Sequence, residues 1–143
     1  NVFFRSFSQQ DIDAMGQDTT LVDTWVWDAP RCVGSTDVET AWDVLSTILG
    51  GAGFRDAELI DGVLSNGAEL LSADHVREQA AELSKWTEAH VLEGLRNLDP
   101  GADLYHQEVY QEEEEDLLEQ FKKLQTFFKE AAEQGLGAVR YAA

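Results

Sequence analysis

The stretch EEEEDLLEQFKKLQTFFKEAAEQG, residues 112–135, decides how the chain folds. Leu117, Phe121, Leu124, Phe128 and Ala131 recur at intervals of four, three, four and three, and Leu118, Phe127 and Ala132 widen that line into an apolar stripe. Such a stripe is one face of an amphipathic helix turned into a core. The run Glu112, Glu113, Glu114, Glu115 and Asp116 suits the positive end of a helix dipole and marks the start. Gly135 can take the left-handed cap conformation and marks the end. At ~1.5 Å of rise per residue the rod is roughly 30 Å long, about the width of a small domain. It is long enough to back a whole fold.

Working outward, the tail Leu136 to Tyr141 and the opening Val2, Phe3, Phe4 and Phe7 both read as strands, placed side by side. Ser8-Gln9-Gln10-Asp11 resembles a capping box that opens a brief helix reaching Met15 and closed by Gly16. Leu21 to Trp27 is rich in β-branched and aromatic residues, which favours an extended segment before Asp28-Ala29-Pro30. Thr36-Asp37-Val38-Glu39 fits a capping box, and Val38, Ala41, Trp42, Leu45, Ile48 and Leu49 then repeat at helical spacing up to Gly50-Gly51. Gly51-Ala52-Gly53 reads as a turn. Ala57 to Leu64 and Ala68 to Leu71 are short apolar runs around Ser65-Asn66-Gly67, a hairpin or structured loop. Ser72 caps a helix carrying Val76, Ala80 and Leu83, and Thr87 or Ser84 opens another carrying Val91, Leu92 and Leu95 up to Asn97. Asp99-Pro100-Gly101 stops that helix, and Leu104 to Tyr110 bridges to the long one. The expected fold is α+β: a small, mostly antiparallel sheet packed on one side by about four to five helices, the long C-terminal one followed by a terminal strand.

A chain of 143 residues fits one domain, taken as 1–143, and at that size roughly two thirds of the unfolded surface can be buried. Cys32 is the single cysteine, so no internal disulfide forms and a reducing, cytoplasmic setting is expected. No apolar run approaches the ~20 residues needed to span a bilayer. The net charge of −18 repels phosphate backbones and anionic membranes, which disfavours nucleic-acid and lipid binding and points to a basic protein partner.

The order of landmarks resembles the YfbM-like family of small bacterial proteins, a domain of unknown function. The resemblance rests on Ala41-Trp42-Asp43-Val44-Leu45 with Leu49-Gly50, on Leu71-Ser72-Ala73-Asp74-His75-Val76, and on Leu104-Tyr105 ahead of Phe121, Leu124, Phe127, Phe128 and Ala131-Ala132. Thr40 and Ser46 stand where the family pattern has a basic residue and a histidine. The resemblance implies an α+β fold and supplies no established reaction.

Candidate chemistry is sparse. His75, His90 and His106 are too far apart for a helical metal-ligand pair, so no metal or cofactor is expected, and His75 and His90 read as surface positions. His106 lies in a loop with Asp103, Tyr105 and Glu108; a solvated loop is the plain reading and a general base the sharper one. Cys32 follows Arg31, a guanidinium that would favour a thiolate, but without a matched histidine it reads as inert. Gly50 to Gly53 lacks the Lys and Ser/Thr of a phosphate loop and reads as helix termination. Trp42 belongs to the core, whereas Trp25 and Trp27, two apart in an extended segment, would project to one side as a binding patch or as cover for the sheet. Glu112 to Asp116 is either a solvated helix start or a docking surface for Lys and Arg. The leading functional reading is a non-catalytic cytoplasmic protein-binding domain, with neutralisation of a basic toxin domain, as small acidic immunity proteins do, as its specific job. The alternative is a small enzyme or ligand-binding domain with a cleft near Tyr105, His106 and Asp103 or Asp43. Self-association through the aromatics is a third.

Overall fold

The computed structural model describes residues 1–50 and 59–143. The two ends of the described chain form its middle: the first strand, β1 (Val2–Phe7), pairs antiparallel along its whole length with the last, β5 (Gly137–Ala142), in a register that sets Phe3 opposite Tyr141 and Phe7 opposite Gly137. β5 pairs on its other side with β4 (Ala68–Leu71), which turns back on β3 (Leu59–Ile60), and β1 carries β2 (Gly34–Asp37) on its outer edge. The order β2-β1-β5-β4-β3 therefore places the terminal strand at the centre, with every pair antiparallel.

Seven helices are present among the described residues, so the architecture is α+β. They are α1 (Gln9–Gln17), α2 (Thr20–Trp25), α3 (Trp42–Gly50), α4 (Ala73–Ser84), α5 (Glu88–Arg96), α6 (Gln107–Glu112) and α7 (Glu114–Glu133). Period-two alternation in the strands sorts the core into two layers. Phe4, Leu71 and Ala138 face α3, α4, α5 and α7, where Leu117, Phe121, Leu124, Phe128 and Ala131 are all buried. Phe7, Val139 and Tyr141 face the opposite way and are covered by Ile12 and Met15 of α1 and by Val22 and Val26 in and just after α2. The sheet thus carries a thin second layer of helix in addition to the thick one.

The caps read from the sequence form. The Ser8, Ser72 and Thr87 hydroxyls accept the Asp11, His75 and His90 amides at the starts of α1, α4 and α5. α1 continues through Gly16 to Gln17. At the end of α7, Gly135 has φ +67; its N–H donates to Ala132 O and that of Leu136 to Ala131 O, the paired bonds of a Schellman motif. The Ser65-Asn66-Gly67 turn joins β3 to β4, with Gly67 at φ +85. The expected turn at Gly51-Ala52-Gly53 and the first residues of the Ala57 to Leu64 run lie outside the described residues.

Three expectations are corrected. Leu21 to Trp27 is not extended: the Asp18 carboxylate accepts the Thr20 amide at 3.1 Å and starts α2. Val22 and Val26, four apart, then share one fully buried face, and that burial outweighs their strand propensity. Thr36-Asp37-Val38-Glu39 does not cap a helix. Residues Gly34–Asp37 are β2, satisfying the outer edge of β1, and Asp37 Oδ1 accepts the Glu39 amide in a turn where Glu39 has φ 50, so α3 begins only at Trp42. Finally, the long helix starts at Glu114. Glu112 ends α6, and Glu113, at φ −113 and ψ 65, breaks the backbone between the two helices.

Candidate functional site

The loop after α5 is built on buried Gln107. Its amide oxygen accepts the Leu104 N–H at 3.2 Å and its amide nitrogen donates to Asp99 O at 3.0 Å, drawing both ends of the loop onto α6. Asp99 Oδ1 accepts the Gly101 amide at 2.8 Å and caps a 3-10 turn over Pro100–Ala102. Asp103 and His106 both take left-handed backbone, at φ 53 and 55, a conformation that costs a non-glycine residue about 1–2 kcal/mol. With Glu108 they line an open cavity of about 350 Å³. Tyr105 stacks on the His106 ring with centroids 4.1 Å apart and leaves 58 % of its surface exposed. Asp43 is not brought here: it is exposed on α3 and outside this lining. An imidazole among carboxylates can move protons or hold a polar ligand. The lining carries no Ser, Thr, Cys or Lys to serve as a nucleophile.

The other histidines stay apart. His90 is exposed, its ring edge-on to Trp86, while His75 is half-buried with Nε2 out of contact with solvent. Among the described residues no three His, Cys, Asp or Glu side chains converge as metal ligands. Arg31 turns away from Cys32 to pair with Asp11 and Asp28 and to lie 3.8 Å over the Trp25 ring. The guanidinium near Cys32 Sγ is that of Arg5, at 3.9 Å.

The two tryptophans do not form the single-sided pair expected of a strand, because Trp25 ends a helix and Trp27 follows it in a turn. Trp25 is half-buried beneath Arg31. Trp27 stands 59 % exposed with its ring edge-on to Tyr141 and the Arg5 guanidinium 5.3 Å from its centroid. It is a large aromatic held in place and open to solvent, the form that anchors at interfaces take.

Because the backbone breaks at Glu113, the acidic run becomes a junction between α6 and α7. Glu114 is held by Arg96 through two parallel bonds, Nε to Oε1 at 2.9 Å and Nη2 to Oε2 at 2.8 Å, and these hold its carboxyl below the ordinary range. A hydrogen bond shared with Asp116, together with the charge of Asp116 and Glu112, pushes the Glu113 carboxyl the other way, above its ordinary value. The signs differ accordingly. The stabilisation from Glu114 is present above its unfolded pKa and is lost as pH falls through the lowered folded value. Protonation of Glu113 relieves repulsion, so its contribution improves as pH falls. Glu113 is exposed and Glu114 partly so, and solvent screening keeps the effects small. A side-chain carboxyl NMR titration should place the Glu114 midpoint below that of a free glutamate and the Glu113 midpoint above it; coincident midpoints would refute this geometry.

Sequence reasoning missed two buried polar contacts. Glu69 and Arg140, opposite each other on β4 and β5, form an ion pair inside the thick core layer, with the Arg140 guanidinium 4.5 Å over the Trp42 ring. Thr40 hydrogen-bonds the Tyr110 hydroxyl at 2.7 Å. Burial raises the Tyr110 phenol above its ordinary value while the bond to Thr40 opposes the rise.

A family model described as a domain of unknown function (DUF1877) matches residues 4–141. The chain belongs to that family. Among solved structures it is similar to YfbM from Escherichia coli, described as a protein of unknown function, at 13 % identity over 97 % of each chain with a TM-score of 0.64. At that identity the likeness is one of fold. No curated protein matches. No helix among the described residues is long and apolar enough to cross a membrane.

Proposed function

We infer that this member of the DUF1877 family is a non-catalytic protein-binding domain whose partner is basic, and that its specific job is to neutralise such a partner, as an immunity protein neutralises a toxin domain. One observation carries the reading: the unbalanced charge at the α6–α7 junction. Glu112, Glu113, Glu115 and Asp116 are exposed, and of the five acidic residues only Glu114 is in an ion pair among the described residues. The hydrogen bond to Asp116, and after it the charges of Asp116 and Glu112, raise the Glu113 carboxyl, and a docked lysine or arginine would offset the crowding of charge. A net charge of −18 adds long-range steering, and Trp27 supplies an exposed aromatic for the contact.

Affinity capture with the purified protein, at about 50 and 300 mM salt, tests this. A basic protein should be retained at low salt and released at high salt. Replacing Glu112, Glu113 and Glu115 by Gln and Asp116 by Asn together should weaken its binding at least about tenfold, mainly through slower association. Equal retention by the neutralised variant, or a salt-insensitive partner, would end the proposal.

A further inference from the structure

We propose that the groove between edge strand β2 and helix α7 receives an extended cationic peptide, which joins the sheet as a sixth strand. This deepens the reading above by giving the partner a conformation and a seat, and it rests on that reading only for the sign of the partner's charge.

The backbone argument comes first. Val38 N–H donates to Val2 O, and the register sets Thr36 opposite Phe4 and Ser35 opposite Arg5. Bonded and non-bonded pairs alternate along an antiparallel ladder, so Thr36 turns its N–H and C=O inward to β1 while Ser35 and Asp37 turn theirs to the free edge. Among the described residues β2 ends the sheet, so those groups are a template for another strand.

The space beside them has the right form. A groove of about 440 Å³ runs between β2 and α7, its strand side made, beyond Val33, of small residues, Ser6, Gly34, Ser35 and Thr36, that leave room for an incoming main chain. On the helix side stand Glu119 and Glu130, about 16 Å apart at ~1.5 Å per residue, a span that a strand of about five residues covers.

Charge selects the occupant. The lysines of this wall are already matched, Lys122 to Glu88 at 2.6 Å and Lys123 to Asp37 at 3.7 Å. Glu119 and Glu130 are exposed and in no ion pair among the described residues. A second copy of the chain would bring another −18 to the interface, and an acidic peptide would meet the same field. A strand with Lys or Arg at alternate positions would set its charges against Glu119 and Glu130 while its backbone bonds Ser35 and Asp37.

The probe is the blocked hexapeptide Lys-Val-Lys-Val-Lys-Val, titrated into the full chain by NMR with amide exchange followed residue by residue. Binding should slow exchange at Ser35 and Asp37 and be at least tenfold tighter than that of the Glu-Val counterpart. It should weaken at least tenfold in Ser35→Pro, which removes an outward N–H and leaves the bonds to β1, and in Glu119→Gln/Glu130→Gln. The same peptide N-methylated at alternate residues keeps its charge and loses strand pairing. Equal affinity for it would overturn strand addition while leaving the basic-partner reading standing. Equal affinity for the Glu-Val peptide would overturn the charge assignment, and shifts confined to the α6–α7 junction would overturn the groove as the seat.

Discussion

Phe128→Ala should lower the free energy of unfolding by about 3–5 kcal/mol, the range for truncating a fully buried phenylalanine, out of roughly 5–15 kcal/mol for a whole domain. The ring is fully buried, T-shaped against Phe4 of the sheet at 5.7 Å and against Phe127 at 5.6 Å. Removing it leaves a void where α7 meets β1, in a core too densely packed to close fully over the loss. Lys129→Ala, one residue on and exposed, should change stability by less than about 0.5 kcal/mol. Urea unfolding of the two variants beside the parent gives the comparison. Similar midpoints for all three would mean that α7 does not back the sheet.

The second large effect belongs to Glu69 and Arg140. Removing one partner of a buried ion pair takes a close counter-charge from the other in a medium that solvates it poorly, so Arg140→Ala and Glu69→Ala should each cost about 3–5 kcal/mol. Arg140→Ala also removes the cation over the Trp42 ring. Replacing both by apolar residues of similar size, Glu69→Leu with Arg140→Met, should recover most of the loss, because both charges of the pair leave the core together. Equilibrium unfolding of the singles and the double closes the cycle. A double variant that loses the sum of the single losses would show that the two residues act separately.

How far such features can be read in advance depends on whether their cause is local. The stripe from Leu117 to Ala131, the caps at Ser8, Ser72 and Thr87, and the stop at Gly135 are each decided by residues within one or two helical turns, and each forms. β2 is decided elsewhere. Gly34-Ser35-Thr36-Asp37 has no apolar alternation, and what makes it a strand is the open edge of β1, some thirty residues earlier. Its Thr and Glu at capping-box spacing therefore misled. α2 was legible in principle, since Val22 and Val26 sit four apart, but the β-branched and aromatic content masked that period. Of the candidate site, Asp103, Tyr105 and His106 were legible as a group because they share one short loop. Asp43 and the pairing of Trp25 with Trp27 depended on how separate elements pack, which spacing along the chain does not encode. Glu69 looks like any solvated acid until β5 brings Arg140 opposite it.

The central position of β5 bears on how the protein is made. During synthesis β1 with β2, and β3 with β4, emerge as two separate ladders, and among the described residues no strand pairing joins them until Gly137–Ala142 has cleared the ribosome. Translation that stops just after α7 would release a half-built product with Phe4, Leu71 and Phe128 uncovered, a substrate for chaperones and proteases.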